Sequence, residues 1–325
     1  MDSVSLVISF IISAVIVVLL MPLFIPFLHR IKFGQSIREE GPSWHQKKSG
    51  TPTMGGIVLI VAVIVAGLVT CHSMKMMLML GVCVGFGLIG FLDDYIKVVL
   101  KRNLGLTSLQ KFLLQLALTV FYIVTFKNLG YLDSHVIIPF MANTIDLGVF
   151  YIPLAAFVVL AVVNSVNLTD GIDGLAGSVT SIVAIFFVVA GLIYKQTEST
   201  LLALTAVGAC CAFLVFNRHP AKIFMGDTGS LFLGGMISVV AISLKMPIFL
   251  ILVGIVYLIE ALSVIIQVAV FKSTGKRVFK MSPIHHHFEM CGFNENKIVA
   301  GASIITLVAC IIAVLAFLPN LPNAM

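Results

Sequence analysis

Ten long apolar stretches constrain this chain more than any other feature of its sequence. A transmembrane α-helix needs about 20 consecutive apolar residues, because a rise of about 1.5 Å per residue must cover roughly 30 Å of hydrocarbon. The sequence therefore predicts an all-α polytopic membrane protein with about ten transmembrane helices. The predicted spans are residues 3–28, 54–72, 76–92, 109–126, 148–166, 176–194, 199–216, 229–245, 247–271 and 298–318.

Composition excludes a soluble globular protein. Hydrophobic residues make up 60% of the chain, charged residues make up 10%, and the mean hydropathy is +1.13. The first apolar stretch has neither a basic leader nor a cleavage site, so we expect a retained helix rather than a signal peptide. The six cysteines show no CxxC spacing and mostly lie in apolar runs, which predicts reduced, packed thiols and no zinc site. Nothing in the sequence indicates a nucleic-acid partner.

The distribution of basic residues predicts the orientation of the helices. Ten spans place both termini on the same side of the membrane. With that side extracytoplasmic, 16 of the 20 lysines and arginines fall in cytoplasmic segments. The positive-inside rule favours this arrangement over its inverse. We therefore expect a multi-pass membrane protein with both termini outside the cytoplasm.

The chain shows no soluble domain and no internal repeat, which predicts a single integral membrane domain over residues 1–325. Residues 131–150 are too polar to span, and their β-branched and aromatic runs predict a short extracytoplasmic β-hairpin. The run 247–271 contains Glu260 and Gln267, so we expect it either to kink or to extend beyond the bilayer. The active-site loops are expected on the cytoplasmic side, near residues 29–53, 93–108, 164–175, 217–228 and 272–297.

Carboxylates at the ends of the spans point to the site of chemistry. A charged residue at the bilayer centre costs about 2.5–3.5 kcal/mol on insertion scales, so such residues are rare and usually functional. Five aspartates lie at span ends that the predicted orientation places on the cytoplasmic side: Asp93, Asp94, Asp170, Asp173 and Asp227. Their clustering on one face indicates a metal-assisted site that faces the cytoplasm.

The third span ends in adjacent aspartates, within the segment FLDDYIKVVLKRNLG. Neighbouring carboxylates repel one another, which favours a bound cation or one protonated member. If the helix continues, Lys97 and Lys101 lie four and eight residues after Asp93, on the same face. This arrangement could hold a phosphate beside a carboxylate that accepts a proton, or it could form only salt bridges at a charged helix end.

Two further segments combine carboxylates with other polar groups. The segment NSVNLTDGIDGLAG suits recognition of a hard cation or a hydroxyl, although Asp-Gly steps also make tight turns. In FNRHPAKIFMGDTGS, Asp227 directly precedes a span, where it could cap the helix and adjoin a bound phosphate. The polar residues of the first segment are Asn164, Asn167, Asp170 and Asp173.

Two basic cytoplasmic loops complete the set of motifs. The segment GPSWHQKKSGTPTMGG offers hydrogen-bond donors to an anion, including Lys48 and Thr53, or it serves only as a solvated basic loop. The last cytoplasmic loop reads KRVFKMSPIHHHFEMCGF and contains the consecutive histidines His285, His286 and His287. Adjacent side chains diverge, which argues against one shared metal, so they are either phosphate ligands or surface histidines.

Together these five segments resemble the phospho-N-acetylmuramoyl-pentapeptide-transferases, within the polyprenyl-phosphate N-acetylhexosamine-1-phosphate transferase superfamily. The resemblance covers essentially the whole chain. GTPTMGG and SPIHHHFE resemble the muramoyl-pentapeptide branch, whereas FLDDY, NLTDGIDGLA and FMGDTGS resemble the wider superfamily.

The resemblance implies a reaction and its participants. Phospho-N-acetylmuramoyl-pentapeptide would pass from UDP-N-acetylmuramoyl-pentapeptide to undecaprenyl phosphate, giving lipid I and UMP. This is the first membrane step of peptidoglycan synthesis, and it requires Mg²⁺. One phosphoanhydride replaces another, so no external energy source is needed. The resemblance also implies a homodimer.

Residue roles are implied by the same resemblance. Asp227 would be a Mg²⁺ ligand, and either Asp93 or Asp94 would be the base that acts on undecaprenyl phosphate. A scheme with an aspartyl nucleophile and a phospho-enzyme intermediate stays open. Lys97 and Lys101 would contact phosphate. The positions that would line the nucleotide pocket or complete its polar floor are Lys48, Asn164, Asp170, Asp173, Asn217, Phe224, Gln267, His285, His286 and His287, with Phe224 stacking on uracil.

Three alternatives were weighed against this interpretation. The first is a related enzyme that transfers N-acetylglucosamine phosphate, and the GTPTMGG and SPIHHHFE segments argue against it. An intramembrane aspartyl protease requires aspartates that face each other within the bilayer and gives no role to the lysines beside Asp93 and Asp94. A transporter for a nucleotide sugar or a divalent cation predicts charges near the midplane and repeat symmetry, and the sequence shows neither.

Overall fold

Helices account for nearly all of the regular structure. The computed structural model describes residues 3–30, 50–99 and 105–317. Single 3₁₀ turns at Gly148–Phe150 and Pro247–Phe249 precede the fifth and ninth helices. The helices are α1 (Ser3–Arg30), α2 (Gly56–Thr70), α3 (Met74–Val99), α4 (Ser108–Asn128), α5 (Tyr151–Thr169), α6 (Leu175–Ile193), α7 (Thr197–Asn217), α8 (Gly226–Ser243), α9 (Leu250–Val253), α10 (Ile255–Thr274), α11 (Ile284–Met290) and α12 (Glu295–Phe317).

Within the described ranges, nine helices are long and apolar enough to cross a membrane: α1, α3 to α8, α10 and α12. The predicted all-α polytopic class is confirmed, and the chain is a multi-pass membrane protein. The predicted span 54–72 forms the shorter α2, whose 15 residues are fewer than in any of these nine helices, so the tenth crossing stays a prediction. The predicted span 247–271 is interrupted at Gly254, where α9 ends and α10 begins.

Helix α8 forms the centre of the bundle. Every residue from Thr228 to Ser243 is buried, and α3, α5 and α7 pack around the helix. Small residues allow this packing because they let helix backbones approach closely. A Cβ atom added to Gly234, for example, would lie 2.7 Å from the Cα of Val163 in α5. The glycine-rich sequence of α8 therefore specifies a central helix.

The bundle presents an apolar surface to the lipid. Large aliphatic side chains of α1 and α12 are exposed, among them Val7, Leu19 and Leu23 in α1 and Ile304 and Leu315 in α12. In water such exposure would be costly, whereas in a bilayer these side chains contact hydrocarbon. The pattern is that of helices at the lipid boundary.

The predicted hairpin is present as two short antiparallel strands, β1 (His135–Ile137) and β2 (Thr144–Asp146). Val136 pairs with Ile145 at the centre of the register. The amide of Ile137 donates to the carbonyl of Lys245, at 2.8 Å, just beyond the C-terminal end of α8. The hairpin therefore lies at the opposite end of α8 from Asp227.

Candidate active site

Three carboxylates meet where α3 passes the first turn of α8. Asp93 and Asp94 belong to α3, Asp227 belongs to α8, and one oxygen from each lies within 4.8 Å of the others. Gly90 makes this approach possible. A Cβ atom at residue 90 would lie 2.7 Å from the backbone nitrogen of Thr228 and closer still to the carbonyl oxygen of Asp227.

Asp94 caps the N-terminus of α8. Its Oδ2 accepts hydrogen bonds from the amide (2.9 Å) and the hydroxyl (2.7 Å) of Thr228, and its Oδ1 accepts one from the amide of Asp227, at 3.2 Å. The first amide groups of a helix have no partners within it, and the helix dipole favours a negative charge there. The capping role that the sequence offered to Asp227 is thus filled by Asp94 from the neighbouring helix.

Asp227 instead binds two lysines, Lys97 of α3 and Lys111 of α4. Its Oδ2 lies 3.0 Å from Nζ of Lys97 and 2.7 Å from Nζ of Lys111, while its Oδ1 accepts a hydrogen bond of 2.8 Å from Asn167. The side chain of Asp227 is 18% exposed, against 2% for Asp93. Of these two carboxylates, Asp227 is the more open to a ligand.

Asp93 completes the cluster from the buried side. Because α3 continues past residue 93, Lys97 follows one turn later, and its Nζ lies 2.5 Å from Oδ2 of Asp93. The Oδ1 atom accepts a hydrogen bond from the amide of Leu106, at 2.9 Å. Lys97 therefore bridges Asp93 and Asp227. The i,i+4 salt bridge within α3 is thus also one of the contacts that hold the carboxylate cluster together.

Thr53 joins the cluster through the backbone of its own segment. The amide of Phe224 donates to the carbonyl of Pro52, at 2.8 Å, and the amide of Gly55 donates to the carbonyl of Phe224, at 2.9 Å. Gly226 has a positive φ, and a Cβ atom on it would lie 2.5 Å from Oδ2 of Asp94 and 2.8 Å from the Thr53 hydroxyl. The segment that contains Thr53 and the segment that leads into α8 therefore meet at Asp94.

The loop between α5 and α6 lies beside this cluster. Asp170 is half-buried, and its burial, followed by the negative charge of Asp227, raises the pKa of the Asp170 carboxyl well above its ordinary value. Asp173 is buried and accepts hydrogen bonds from His219 (2.9 Å) and from the amide of Ala221 (3.0 Å). The oxygen-rich loop is thus linked to the segment that precedes α8.

Glutamate and asparagine side chains hold the same loop in place. Glu295, at the start of α12, accepts the amide of Asp173 at 3.0 Å, and its other oxygen lies 3.4 Å from Nδ1 of His219. Asn217 accepts the amide of Gly174 at 3.0 Å and donates to the carbonyl of Ile223 at 2.9 Å. The side chain of Asn217 therefore braces two loops against each other.

The three histidines have different hydrogen-bond partners, but the rings of His285 and His286 lie in contact with their centroids 4.1 Å apart, so the predicted divergence does not hold for this pair. His285 is buried, and its Nδ1 lies 3.0 Å from a carboxylate oxygen of Glu260. Its ring faces the α5–α6 loop, since a Cβ atom on Gly171 would lie 2.5 Å from Cε1. His286 pairs with Glu289 at 2.6 Å.

His287 and Gln267 organise the loop between α10 and α11. Nδ1 of His287 accepts the amide of Lys280, at 3.1 Å. The amide group of Gln267 binds the backbone of Val278 and Phe279 through three hydrogen bonds of 2.9 to 3.1 Å. In this structure the Gln267 side chain fastens the loop to α10.

Comparison with known proteins identifies the family. A family model described as Glycosyl transferase family 4 matches residues 76–245, and the phospho-N-acetylmuramoyl-pentapeptide-transferase signature 1 matches residues 48–60. A phospho-N-acetylmuramoyl-pentapeptide-transferase of Halalkalibacterium halodurans is 49% identical over 314 residues, covering 95% of this chain and 96% of the relative. Proteins of the same name from Clostridium botulinum (51% identity, 91% of each chain) and Clostridium perfringens (50% identity, 95% of each chain) are similarly close.

The chain belongs to the phospho-N-acetylmuramoyl-pentapeptide-transferase family.

Of the binding residues predicted from the sequence, Lys97 and Asn167 contact the carboxylates, and the charge of Asp227 acts on Asp170. Asn164 instead donates its amide to Gln115 of α4, at 2.7 Å, one turn deeper in the bundle than Asn167. Phe224 is half-buried beside Thr53. Lys48 and Lys101 lie outside the described residues.

Two partners of the predicted residues were missed in the sequence. Lys111 lies in the first turn of α4, behind a capping box formed by Thr107 and Gln110. Sequence alone places it only among the 16 basic residues of the predicted cytoplasmic segments. Its distinguishing signal is the pair Lys111 and Gln115, four residues apart on one face of α4. Glu260 was noted only as a polar residue in a long span, whereas it holds His285.

The carboxylate cluster could hold the Mg²⁺ that the sequence resemblance implies. Mg²⁺ prefers oxygen ligands and is commonly held by one or two carboxylates together with substrate phosphates. The oxygens of Asp93, Asp94 and Asp227 provide such a donor set. A second group consists of Asp173, His219 and Glu295, whose possible ligand atoms also lie within 4.8 Å of one another. The side chain of His219 binds both carboxylates, and the group would offer one nitrogen beside its oxygens.

Proposed function

We propose that this protein transfers phospho-N-acetylmuramoyl-pentapeptide from UDP-N-acetylmuramoyl-pentapeptide to undecaprenyl phosphate, releasing UMP and forming lipid I. Membership in the family supports the activity, because the curated relatives carry the name phospho-N-acetylmuramoyl-pentapeptide-transferase. The observation that carries the proposal is the cluster of three carboxylates and two lysines at one end of a transmembrane bundle.

The reaction exchanges one phosphoanhydride for another. A phosphate oxygen of the lipid attacks the β-phosphorus of the donor, and the bond from that phosphorus to the bridging oxygen breaks. The bridging oxygen leaves with UMP. Because little covalent chemistry is required of the protein, positioning and charge stabilisation supply most of the catalysis.

The two lysines are suited to hold the diphosphate. Lys97 and Lys111 approach the same oxygen of Asp227, at 3.0 and 2.7 Å, so two positive charges meet at one accessible point. A phosphate group that arrives beside Asp227 would lie within reach of both. Their charge would offset the negative charge on the phosphoryl oxygens in the transition state.

We assign the proton-accepting role to Asp93. Asp94 already accepts three hydrogen bonds from the first turn of α8, which commits both of its oxygens. Oδ2 of Asp93 instead faces Lys97 and lies 3.7 Å from Lys111. A protonated acceptor phosphate held by these lysines would pass its proton to Asp93 before the attack.

Mg²⁺ is proposed as the cofactor, with Asp227, the more open carboxylate, as its protein ligand and substrate phosphates completing the donor set. When bound, the ion would offset charge on the diphosphate. Asn167 would hold Asp227 in place, because its amide donates to both Asp227 Oδ1 and the Ser230 hydroxyl, each at 2.8 Å.

The loops that surround the cluster would form the donor site. Phe224 would stack on uracil, and Lys48, Asp170, Asp173 and the histidine run would complete the polar pocket. The site is proposed to face the cytoplasm of a bacterial cell, with both termini and the hairpin outside, which requires the 15-residue α2 to complete a tenth crossing together with the residues that flank it. The positive-inside count supports this orientation, as does the position of the hairpin at the far end of α8 from Asp227. We also propose one integral membrane domain and a homodimer, which mass measurement in detergent would test.

Release of UMP by purified protein tests the proposal. The assay contains undecaprenyl phosphate and Mg²⁺ in detergent, with UDP-N-acetylmuramoyl-pentapeptide or UDP-N-acetylglucosamine as donor. We expect UMP only from the muramoyl donor, and only when lipid and Mg²⁺ are both present. Release from UDP-N-acetylglucosamine instead would assign the chain to the related N-acetylglucosamine branch. Folded protein that releases UMP from neither donor would refute a transferase and favour a nucleotide-sugar transporter.

A further inference from the structure

Two amide side chains are paired inside the membrane-spanning part of the bundle. Gln115 of α4 is fully buried, and its Oε1 accepts a hydrogen bond of 2.7 Å from Nδ2 of Asn164 in α5. Asn164 also donates to the carbonyl of Leu160 in its own helix, at 2.8 Å. Gln115 lies seven residues into α4, about 10 Å from its start, so the pair is well inside a candidate span.

The amide pair lies one helical turn further into the bundle than two residues that both bind Asp227. Gln115 follows Lys111 by four residues, and Asn164 precedes Asn167 by three, so each pair shares a helix face. Lys111 binds Oδ2 of Asp227 at 2.7 Å, and Asn167 binds Oδ1 at 2.8 Å. The two helices that hold Asp227 from its two oxygens are therefore joined by the amide pair.

Stability alone does not require glutamine at this position. Among the described residues, Nε2 of Gln115 has no hydrogen-bond partner although it is buried. A buried donor without a partner is costly, whereas a leucine of similar size would bury without that penalty. Hydrogen bonds between membrane helices contribute only modestly to stability. The polar pair is better explained by what it positions.

We propose that Gln115 is a positioning residue for phosphoryl transfer, fixing α4 against α5 so that Lys111 and Asn167 reach Asp227 together. The inference rests on the proposed function, because it concerns the rate of that reaction. Gln115 does not contact Asp227 itself. Its loss should allow α4 to shift or rotate relative to α5, which moves the ammonium group of Lys111 away from the carboxylate.

The test compares Gln115→Leu with a matched control on the same helix. Thr119→Val removes a buried hydroxyl four residues further along α4, and that hydroxyl binds only the carbonyl of Gln115 within the helix, at 2.7 Å. We measure kcat, the KM for UDP-N-acetylmuramoyl-pentapeptide and the thermal unfolding temperature in detergent. For Gln115→Leu we expect kcat to fall about 3- to 20-fold, the size of one interhelical hydrogen bond in a bilayer, at unchanged KM.

Stability and rescue separate positioning from a structural role. The unfolding temperature of Gln115→Leu should equal or exceed that of the wild type, and Thr119→Val should match the wild type throughout. Exchanging the two amides, Gln115→Asn with Asn164→Gln, keeps a hydrogen bond between the helices and should restore kcat to within about twofold of the wild type.

Three results would overturn the inference. The first is a kcat for Gln115→Leu within twofold of that of Thr119→Val. The second is a fall in kcat that is matched by a fall in unfolding temperature. The third is an amide-exchange variant that is no more active than Gln115→Leu. A wild-type protein without transferase activity would refute the proposed function and this inference with it. An active wild type with an equally active Gln115→Leu would refute the inference alone.

Discussion

Replacing Gly90 by alanine should separate the carboxylates of α3 from that of α8. A Cβ atom at residue 90 would lie 2.7 Å from the backbone nitrogen of Thr228 and closer still to the carbonyl of Asp227. Both obstacles are backbone atoms, so no side chain can rotate away. Because ordinary carbon contacts lie at about 3.5–4.0 Å, the two helices must move apart by roughly 1 Å.

The displacement of the two helices sets the size of the loss of stability and of the loss of turnover. Overpacking of a buried contact costs about 1–3 kcal/mol, and the rigid backbone at this contact favours the upper end. Alanine returns about 0.5–1 kcal/mol through its better helix propensity, which leaves a net destabilisation of about 2 kcal/mol. A misplacement of about 1 Å among catalytic groups can reduce turnover about 100-fold.

Gly81→Ala provides a matched control in the same helix. Apart from its chain neighbours and the backbone of its own helix, a Cβ atom at residue 81 would meet no atom of the described residues within 4 Å, so the control should be slightly stabilised and fully active. UMP release and thermal unfolding in detergent are measured for both variants. If Gly90→Ala were as active and as stable as Gly81→Ala, close packing of α3 on α8 would not position the site, and the reasoning would be refuted.

Three further substitutions test individual contacts. Asp227→Asn should lower kcat about 10²- to 10³-fold and raise the Mg²⁺ concentration needed for half-maximal rate; a normal Mg²⁺ response with near-normal turnover would remove Asp227 from the metal site. Lys111→Met should lower kcat about 10²-fold, as for loss of one transition-state donor, whereas retained activity would show that Lys97 suffices. Glu260→Gln should weaken its bond to His285 by about 1 kcal/mol and lower turnover about fivefold, measured beside the unfolding temperature; an unchanged turnover would restrict this pair to a structural role.

The features predicted correctly from sequence depend on local pattern. Apolar length predicted the spans, and β-branched and aromatic runs predicted the hairpin that pairs Val136 with Ile145. The i,i+4 spacing of Asp93 and Lys97 predicted their contact once the helix continued past residue 93. Each of these signals resides within one segment of the chain, where helix or strand periodicity is sufficient.

The features that were missed depend on packing between distant segments. Lys111 reaches Asp227 across 116 residues, and Glu260 reaches His285 from another helix. No periodicity indicates which of several basic residues at a boundary will face a given carboxylate. Asp94 became the cap of α8 because Gly90 brings the two backbones together, and sequence alone does not reveal that approach.

The most direct test of the central claim follows the two phosphorus atoms of the donor. UDP-N-acetylmuramoyl-pentapeptide is labelled separately at the α- and β-phosphorus and incubated with purified protein, undecaprenyl phosphate and Mg²⁺, and lipid is extracted from the aqueous phase. The account predicts that the β label enters the lipid in equal amount to the α label released as UMP. A β label that stays in water-soluble product while UMP is formed would show hydrolysis rather than transfer and would contradict the account.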